Sequence, residues 1–289
     1  MTPLRQRMVE DMQLRGLSAR TQGCYVAAIR QLAEHYHASP ASLTDEQLRQ
    51  YFLYLTNEKK VARTTATIAL CATRFLYEHT PKQPWPTLRF VRPAPSKRLP
   101  SVLSRDEVRQ VLALVRTRVY RECVTTIYAG GLRLREGSRV PIADIDSGRM
   151  LLHIHGKGNW DRYVPLAAPL LPRLRDFWRT HRSPDWLFPA PPRRGRQRTL
   201  PHQPGPVTRS SLQRAFRRAW LKSGIAKRAS VHTLRHSYAS HLHAAGVSLR
   251  LIQAILGHRS LRTTQIYTHL TPDVQATLTG PLNDLMCGL

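Results

Sequence analysis

The sequence predicts a mainly α-helical protein with one small antiparallel β-sheet, an α+β chain built as a helical bundle followed by a larger mixed α/β part. Three observations predict it. Apolar residues recur at three- and four-residue steps through residues 3–80. Six prolines fall within residues 81–100 and break that pattern. Downstream, one segment alternates apolar and polar residues about a Gly-Lys-Gly-Asn turn, the signature of a hairpin, among further helical stretches.

In the first part, Leu14, Leu17, Tyr25, Ala28, Ile29 and Leu32 fall on helical spacing. Thr44 heads Thr-Asp-Glu-Gln, with Gln47 three residues on, a capping box before Leu48, Phe52 and Leu55. A further helix fits residues 64–79 around Ile68, Leu70, Phe75 and Leu76. The domain boundaries expected are 1–85 for the bundle, 86–100 for a proline-rich linker and 101–289 for the second domain. That domain opens with a Ser104 cap and Glu107 at the capping-box position. Gly130 and Gly131 break a helix just before Arg133. The stretches 149–155 and 160–166 form the hairpin, with Lys157 at its tip. Residues 183–207 read as a proline- and arginine-rich loop.

Residues 209–222 place Leu212, Ala215, Phe216, Ala219 and Trp220 on one helical face. Arg214, Arg217 and Arg218 fall largely on the other. From 231 to 270 three short helices are expected. Leu234, Tyr238 and Leu242 lie on the first, which Gly246 stops. Ser248 caps the second, which carries Leu249, Ile252, Ile255 and Leu256 and ends at Gly257. Ser260 caps the third, with Ile266 and Tyr267 one to two turns in.

Forty-five Lys plus Arg stand against 18 Asp plus Glu, a formal charge of +27. Such an excess calls for a polyanion, and nucleic acid leads. Residues 1–95 hold 13 basic and 7 acidic residues, so most of the excess belongs to the second part. Arg20, Lys59, Lys60 and Arg63 in the bundle, and Arg209, Arg214, Arg217 and Arg218 downstream, are the candidate DNA contacts, though solvated side chains would read the same. No run approaches ~18 apolar residues, and the start carries no signal-peptide core. A cytoplasmic, nucleoid-associated protein is expected. The four cysteines stand far apart with no Cys-x-x-Cys, and read as buried thiols.

The residues gathered near the end suggest phosphoryl chemistry. A tyrosine hydroxyl has a pKa near ~10, so about one in a thousand is ionised at neutral pH and it needs help to attack. Attack on a phosphodiester also builds negative charge that fixed cations must meet. Arg133 and Arg235 offer planar forks of donors that stay charged. Lys157 can protonate the leaving 5′ oxygen, His232 can take the tyrosine proton, and His258 can hydrogen-bond the phosphate. A phosphotyrosyl bond conserves the energy of the broken strand, so neither cofactor nor metal is required. His232 with His236, or His241 with His243, would be the histidine pairs for a metal, but no His-Glu-x-x-His accompanies them. No carboxylate cluster for two metals is visible, and Asp144, Asp146 and Asp161 read as turn caps.

Order and spacing join these residues. Gly-Leu-Arg-x-x-Glu (131–136), the Gly-Lys-Gly hairpin 24 residues past Arg133, His-Thr-Leu-Arg-His (232–236), Leu-Gly-His (256–258) and Tyr-Thr-His (267–269) together resemble the tyrosine recombinases of the phage-integrase type. The resemblance implies a helical core-binding (SAM-like) domain and a catalytic domain of the DNA breaking-rejoining type. It implies Tyr267 as nucleophile and Arg133, Lys157, His232, Arg235 and His258 as the activating residues. It further implies a 3′-phosphotyrosine, a free 5′ hydroxyl, and strand exchange through a Holliday junction on a double-stranded recombination site. A homotetramer, or a heterotetramer with a second recombinase, would carry this out, with a C-terminal segment such as 272–289 docked on a neighbouring subunit.

The chain looks like a minimal two-domain enzyme of the Xer or transposon-associated type, serving integration, excision or resolution of a mobile or circular DNA. The helical domain begins almost at the start of this sequence, so no arm-binding domain is expected. Trp160 stands where many relatives hold a second basic hairpin residue. Gly137 and Pro141 interrupt a helix that relatives continue, which is expected to loosen the support of Arg133. Two other readings are a catalytically silent DNA-binding accessory protein and a type IB topoisomerase-like relaxing enzyme.

Overall fold

A computed structural model describes residues 2–81, 100–156, 161–191, 205–257 and 272–289, with backbone alone for 272–275. The chain divides into two compact units, Met1–Lys97 and Arg98–Leu289. The architecture is the mainly helical one, with a small antiparallel sheet, that the sequence predicts.

The first unit packs α1 (Pro3–Leu14), α2 (Ala19–Tyr36), α3 (Asp45–Leu53) and α4 (Arg63–His79). Its core joins Met8, Met12, Leu32, Leu48, Phe52 and Leu76. The predicted capping box is present: Gln47 N donates to Thr44 Oγ1, and Thr44 N donates to Gln47 Oε1 at 2.8 Å. A π-helical turn, Tyr54–Glu58, extends α3. Cys24 and Cys71 are exposed, as is Cys287 in the other unit, so of the four thiols expected to be buried only Cys123 is. The first two occupy outward positions of α2 and α4, where periodicity and not residue type decides burial.

The second unit is organised around α6 (Arg118–Ala129), buried without a break from Glu122 to Ala129. Against it pack α5 (Arg105–Ala113), α7 (Leu134–Gly137), α8 (Leu170–Arg179), α9 (Arg209–Ser223), α10 (Val231–Ala244) and α12 (Pro272–Met286), while α11 (Leu249–Leu256) leans on α10 and the sheet. Buried Glu122 on α6 accepts from two nitrogens of Arg173 on α8. The Ser104–Glu107 and Ser248 caps form as expected. The third expected helix and residues 86–99 of the linker lie outside the described residues. On α12, Leu278, Leu282, Leu285 and Met286 bury one apolar stripe in the unit's own core. Arg109 Nε donates to Cys287 O at 2.8 Å, and Ala168 N to Asn283 Oδ1 at 2.9 Å.

The hairpin comprises β2 (Leu151–Ile154) and β3 (Arg162–Pro165), paired antiparallel with Leu152 opposite Val164 and Ile154 opposite Arg162. A two-residue strand that periodicity is too short to reveal, β1 (Ile145–Asp146), completes the sheet in the order β1-β2-β3. No helix among the described residues is long and apolar enough to cross a membrane.

Candidate active site

Three segments far apart in sequence meet at the C-terminal end of α11. A helix end leaves its last carbonyls without intrahelical donors and carries partial negative charge. Here three successive carbonyls each receive an arginine. Arg162 Nε donates to Ile255 O at 2.8 Å, Arg235 Nη2 to Leu256 O at 2.5 Å, and Arg133 Nη2 to Gly257 O at 3.0 Å. Gly257 ends the helix in the left-handed conformation (φ +65°), and a Cβ there would sit 3.1 Å from Arg162 Cδ.

One buried carboxylate ties the guanidiniums together. Glu136 accepts from Arg162 Nη1 and Nη2 at 3.0 and 2.7 Å, from Arg133 Nη1 at 2.8 Å, and from the backbone N of Arg133 at 2.8 Å. Burial by itself would raise the Glu136 carboxyl, but hydrogen bonds and charge from Arg162, then Arg133, bring it down to about 2. Arg235 Nη1 lies 3.9 Å from the same group. Three cations facing one anion leave the described part of the site with a formal excess of two positive charges.

The turn after α6 shapes the floor. Gly131 holds φ +57°, and a Cβ there would lie 2.5 Å from the Tyr238 ring, so only glycine fits; its carbonyl accepts from Arg235 Nη1 at 2.7 Å. Arg133 then caps the N-terminus of α7. The expected loosening at Gly137 is not what the structure has. A Cβ on Gly137 would fall 2.2 Å from Ile127 Cγ1, so the glycine lets α7 press against α6, and Arg133 stays anchored at both ends of its guanidinium. Pro141 precedes a 3-10 turn and bridges to Trp186, clear of these bonds.

Arg133 and Arg235 differ in exposure: 41% of the Arg133 side chain is open, against 4% for Arg235. Burial brings Arg235 down to about 10, with the Arg133 charge acting in the same direction, so it stays protonated at neutral pH. His232, exposed at the start of α10 one turn before Arg235, has its pKa lowered, first by desolvation and then by the charges of His236, Arg235 and Arg133. Its neutral form, able to accept a proton, is favoured. Lys157, His258 and Tyr267 lie outside the described residues, as does Trp160.

Arg162 is the site residue that sequence reasoning missed. Its signal was present in the alternation of β3, where Arg162 and Val164 are buried and Tyr163 between them is exposed. An arginine in an inward register position needs a buried anion, and Glu136 supplies it. The carboxylates by the hairpin divide. Asp146 and Asp161 accept backbone N–H groups from Arg149 and Gly156, as turn caps do, whereas Asp144 faces His153 and His155. The candidate DNA contacts Arg20, Lys59, Lys60, Arg63, Arg209, Arg214, Arg217 and Arg218 are all exposed. Arg214 and Arg218 of α9, with Arg116 and Lys222, line a cleft of about 540 Å³.

The model of the phage integrase family matches residues 101–273, and that of the phage-integrase N-terminal SAM-like domain matches residues 4–87. The chain belongs to the phage integrase family. It is a tyrosine recombinase, 41% identical to an integrase/recombinase of Sinorhizobium fredii, y4qK, over 97% of this chain and 89% of that one. It is 30% identical to tyrosine recombinase XerC of Halalkalibacterium halodurans over 78% and 77% of the two chains. Among solved structures, the XerH recombinase in its pre-cleavage complex with difH shares the fold, with a TM-score of 0.69 over 95% of this recombinase and 84% of that chain at 20% identity.

Proposed function

We propose that this recombinase cuts and rejoins double-stranded DNA at a specific site through a covalent bond between Tyr267 and the 3′ phosphate, and exchanges strands through a Holliday junction. The observation that carries the reading is the set of arginines gathered on one helix end, directly before the segment that bears His258 and Tyr267. In this reading Arg133, the exposed fork, meets the scissile phosphate. Arg235, held by two carbonyls, lends fixed positive charge to the same centre without needing to reorganise during reaction. His232, kept neutral, receives the tyrosine proton. Lys157 protonates the leaving 5′ oxygen, and His258 hydrogen-bonds a phosphate oxygen.

Residues 101–289 form the catalytic domain. Residues 1–85 form a core-binding domain that, joined through the 86–100 linker, closes on the duplex. The exposed arginines of α9, with Arg20, Lys59, Lys60 and Arg63, contact the backbone. The working assembly is a tetramer on DNA, of this chain alone or with a second recombinase, acting in the nucleoid on a mobile or circular element.

The test is to express wild type and Tyr267→Phe in cells, isolate denaturant-resistant protein–DNA adducts, and sequence their ends. Adducts at a discrete locus with wild type and none with the variant are expected. Equal adduct yield from both would remove Tyr267 as nucleophile. Adducts scattered without a common locus, with plasmid relaxed but not recombined, would point instead to a topoisomerase-like enzyme.

A further inference from the structure

The antiparallel register brings two histidines and two aspartates onto one face of the sheet. His153 and His155, two apart on or just past β2, project to the same side. Continuing the β1–β2 register by one residue sets Asp144 beside His153, and continuing the β2–β3 register sets Asp161 beside His155. The two rings lie 4.4 Å apart, and Tyr163 stacks on His153 at 5.0 Å. Each imidazole therefore stands between two carboxylates.

The two carboxylates are engaged differently. Asp161 Oδ2 is hydrogen-bonded to His155 Nδ1 at 3.0 Å and lies 3.2 Å from His153 Nε2. Asp144 Oδ2 lies 2.9 Å from His155 Nε2, and Asp144 Oδ1 lies 3.6 Å from His153 Nδ1. Yet the buried Oδ2 of Asp144 takes part in no hydrogen bond. Its 2.9 Å approach to His155 Nε2 is a spacing that two ligands of one ion can also take. One donor atom from each of Asp144, His153 and His155 lies within 4.8 Å of the others.

We propose that Asp144, His153 and His155 bind a zinc ion on the outer face of the sheet, with Asp161 as the carboxylate that orients both imidazoles. Tetrahedral zinc with bonds of ~2.0–2.2 Å needs ligands roughly 3.3 Å apart; the approaches of Asp144 to the two imidazoles, 2.9 and 3.6 Å, bracket that value, and the imidazoles would draw together on binding. Two nitrogens and a carboxylate oxygen suit zinc better than magnesium or calcium, which want oxygen throughout. The ring nitrogens turned away from the ion donate to Asp161, the carboxylate–histidine–zinc arrangement that fixes tautomer and ring orientation. The fourth position goes to water or an anion. The ion fastens the loop end of the hairpin, pinning the loop before β1 to β2 two residues ahead of Lys157.

The test is calorimetric titration of the EDTA-stripped, redialysed full chain with zinc chloride at pH 7.5. Wild type should bind one equivalent. His155→Gln and Asp144→Asn should each weaken binding by at least tenfold, and Asp161→Asn by about tenfold, the usual effect of removing an orienting carboxylate. The His155 side chain is 56% exposed, so its replacement leaves the fold intact, and circular dichroism checks all three variants. A zinc-induced rise in melting temperature should appear in wild type and vanish in His155→Gln. No zinc binding by wild type, or unchanged affinity in both His155→Gln and Asp144→Asn, overturns the site. So does loss of the equivalent in His236→Ala instead, since His232 and His236 are the competing pair, with rings 4.8 Å apart.

Discussion

Glu136 is the residue on which the described site turns. Its folded pKa of about 2 lies below the ordinary glutamate value of 4.5, so its contribution to stability is complete above pH 4.5 and is lost as the pH falls from 4.5 toward 2. The shift corresponds to ~3 kcal/mol. Urea unfolding at pH 7, 5 and 3 should show this loss in wild type, and Glu136→Gln should lack that share of it; the same pH slope in both would remove Glu136 as its source. Arg162 has a parallel role. Arg162→Ala leaves a buried carboxylate with one cation fewer and should cost about 3–5 kcal/mol in the same unfolding measurement. Arg133→Ala or Arg235→Ala should slow cleavage of a suicide substrate by about 10²–10³, and a normal rate in either would take that arginine out of the reaction.

At the scale of elements, glycines decide how closely α6, α7 and α10 approach. Gly137→Ala must displace Ile127, and a loss of about 1–3 kcal/mol is expected from overpacking between α6 and α7. Gly224 is the contrasting case. It ends α9 at φ +70° with nothing within 4 Å of an added methyl group, so Gly224→Ala costs about 1 kcal/mol of backbone strain alone. Equal unfolding midpoints for the two variants would mean that Ile127 yields freely. The capping boxes at Thr44 and Ser104 and the cap at Ser248 were legible because each depends on residues within three positions. β1 was not, because a two-residue strand has no period to read and exists through its pairing with β2.

At the scale of the whole molecule, charge is the dominant property. With a formal +27, DNA affinity should fall steeply as salt rises, because each neutralised phosphate releases counterions. Replacing Arg214, Arg217 and Arg218 together by alanine should flatten the log–log slope by up to ~3, at about 0.9 for each phosphate no longer neutralised. An unchanged slope would mean that the basic face of α9 is turned to solvent and not to DNA. The burial of α12 in the second unit's own core bears on assembly as well. Whatever joins subunits through residues 272–289 must either use the outer face of that helix or lift Leu278, Leu282, Leu285 and Met286 out of the core.

Local periodicity, capping pairs and charge were enough for the sequence to determine a helical bundle, a hairpin, a basic protein and the order Arg133, Lys157, His232, Arg235, His258, Tyr267. These are properties of neighbouring residues or of sums, and they need no knowledge of packing. Tertiary structure alone decided which groups share a centre. That Arg162 completes a set of three guanidiniums, that their common anchor is the carbonyl end of α11, and that Gly137 tightens rather than loosens Arg133 all depend on segments up to 124 residues apart. The division of labour at the hairpin is equally hidden in the linear order. Asp144, Asp146 and Asp161 look alike as turn residues, and only strand register sets Asp144 and Asp161 on either side of two imidazoles while Asp146 closes its turn. Side-chain chemistry is written in the sequence, but a buried charge or a polar cluster acquires its meaning from the partner that folding brings within about 3 Å.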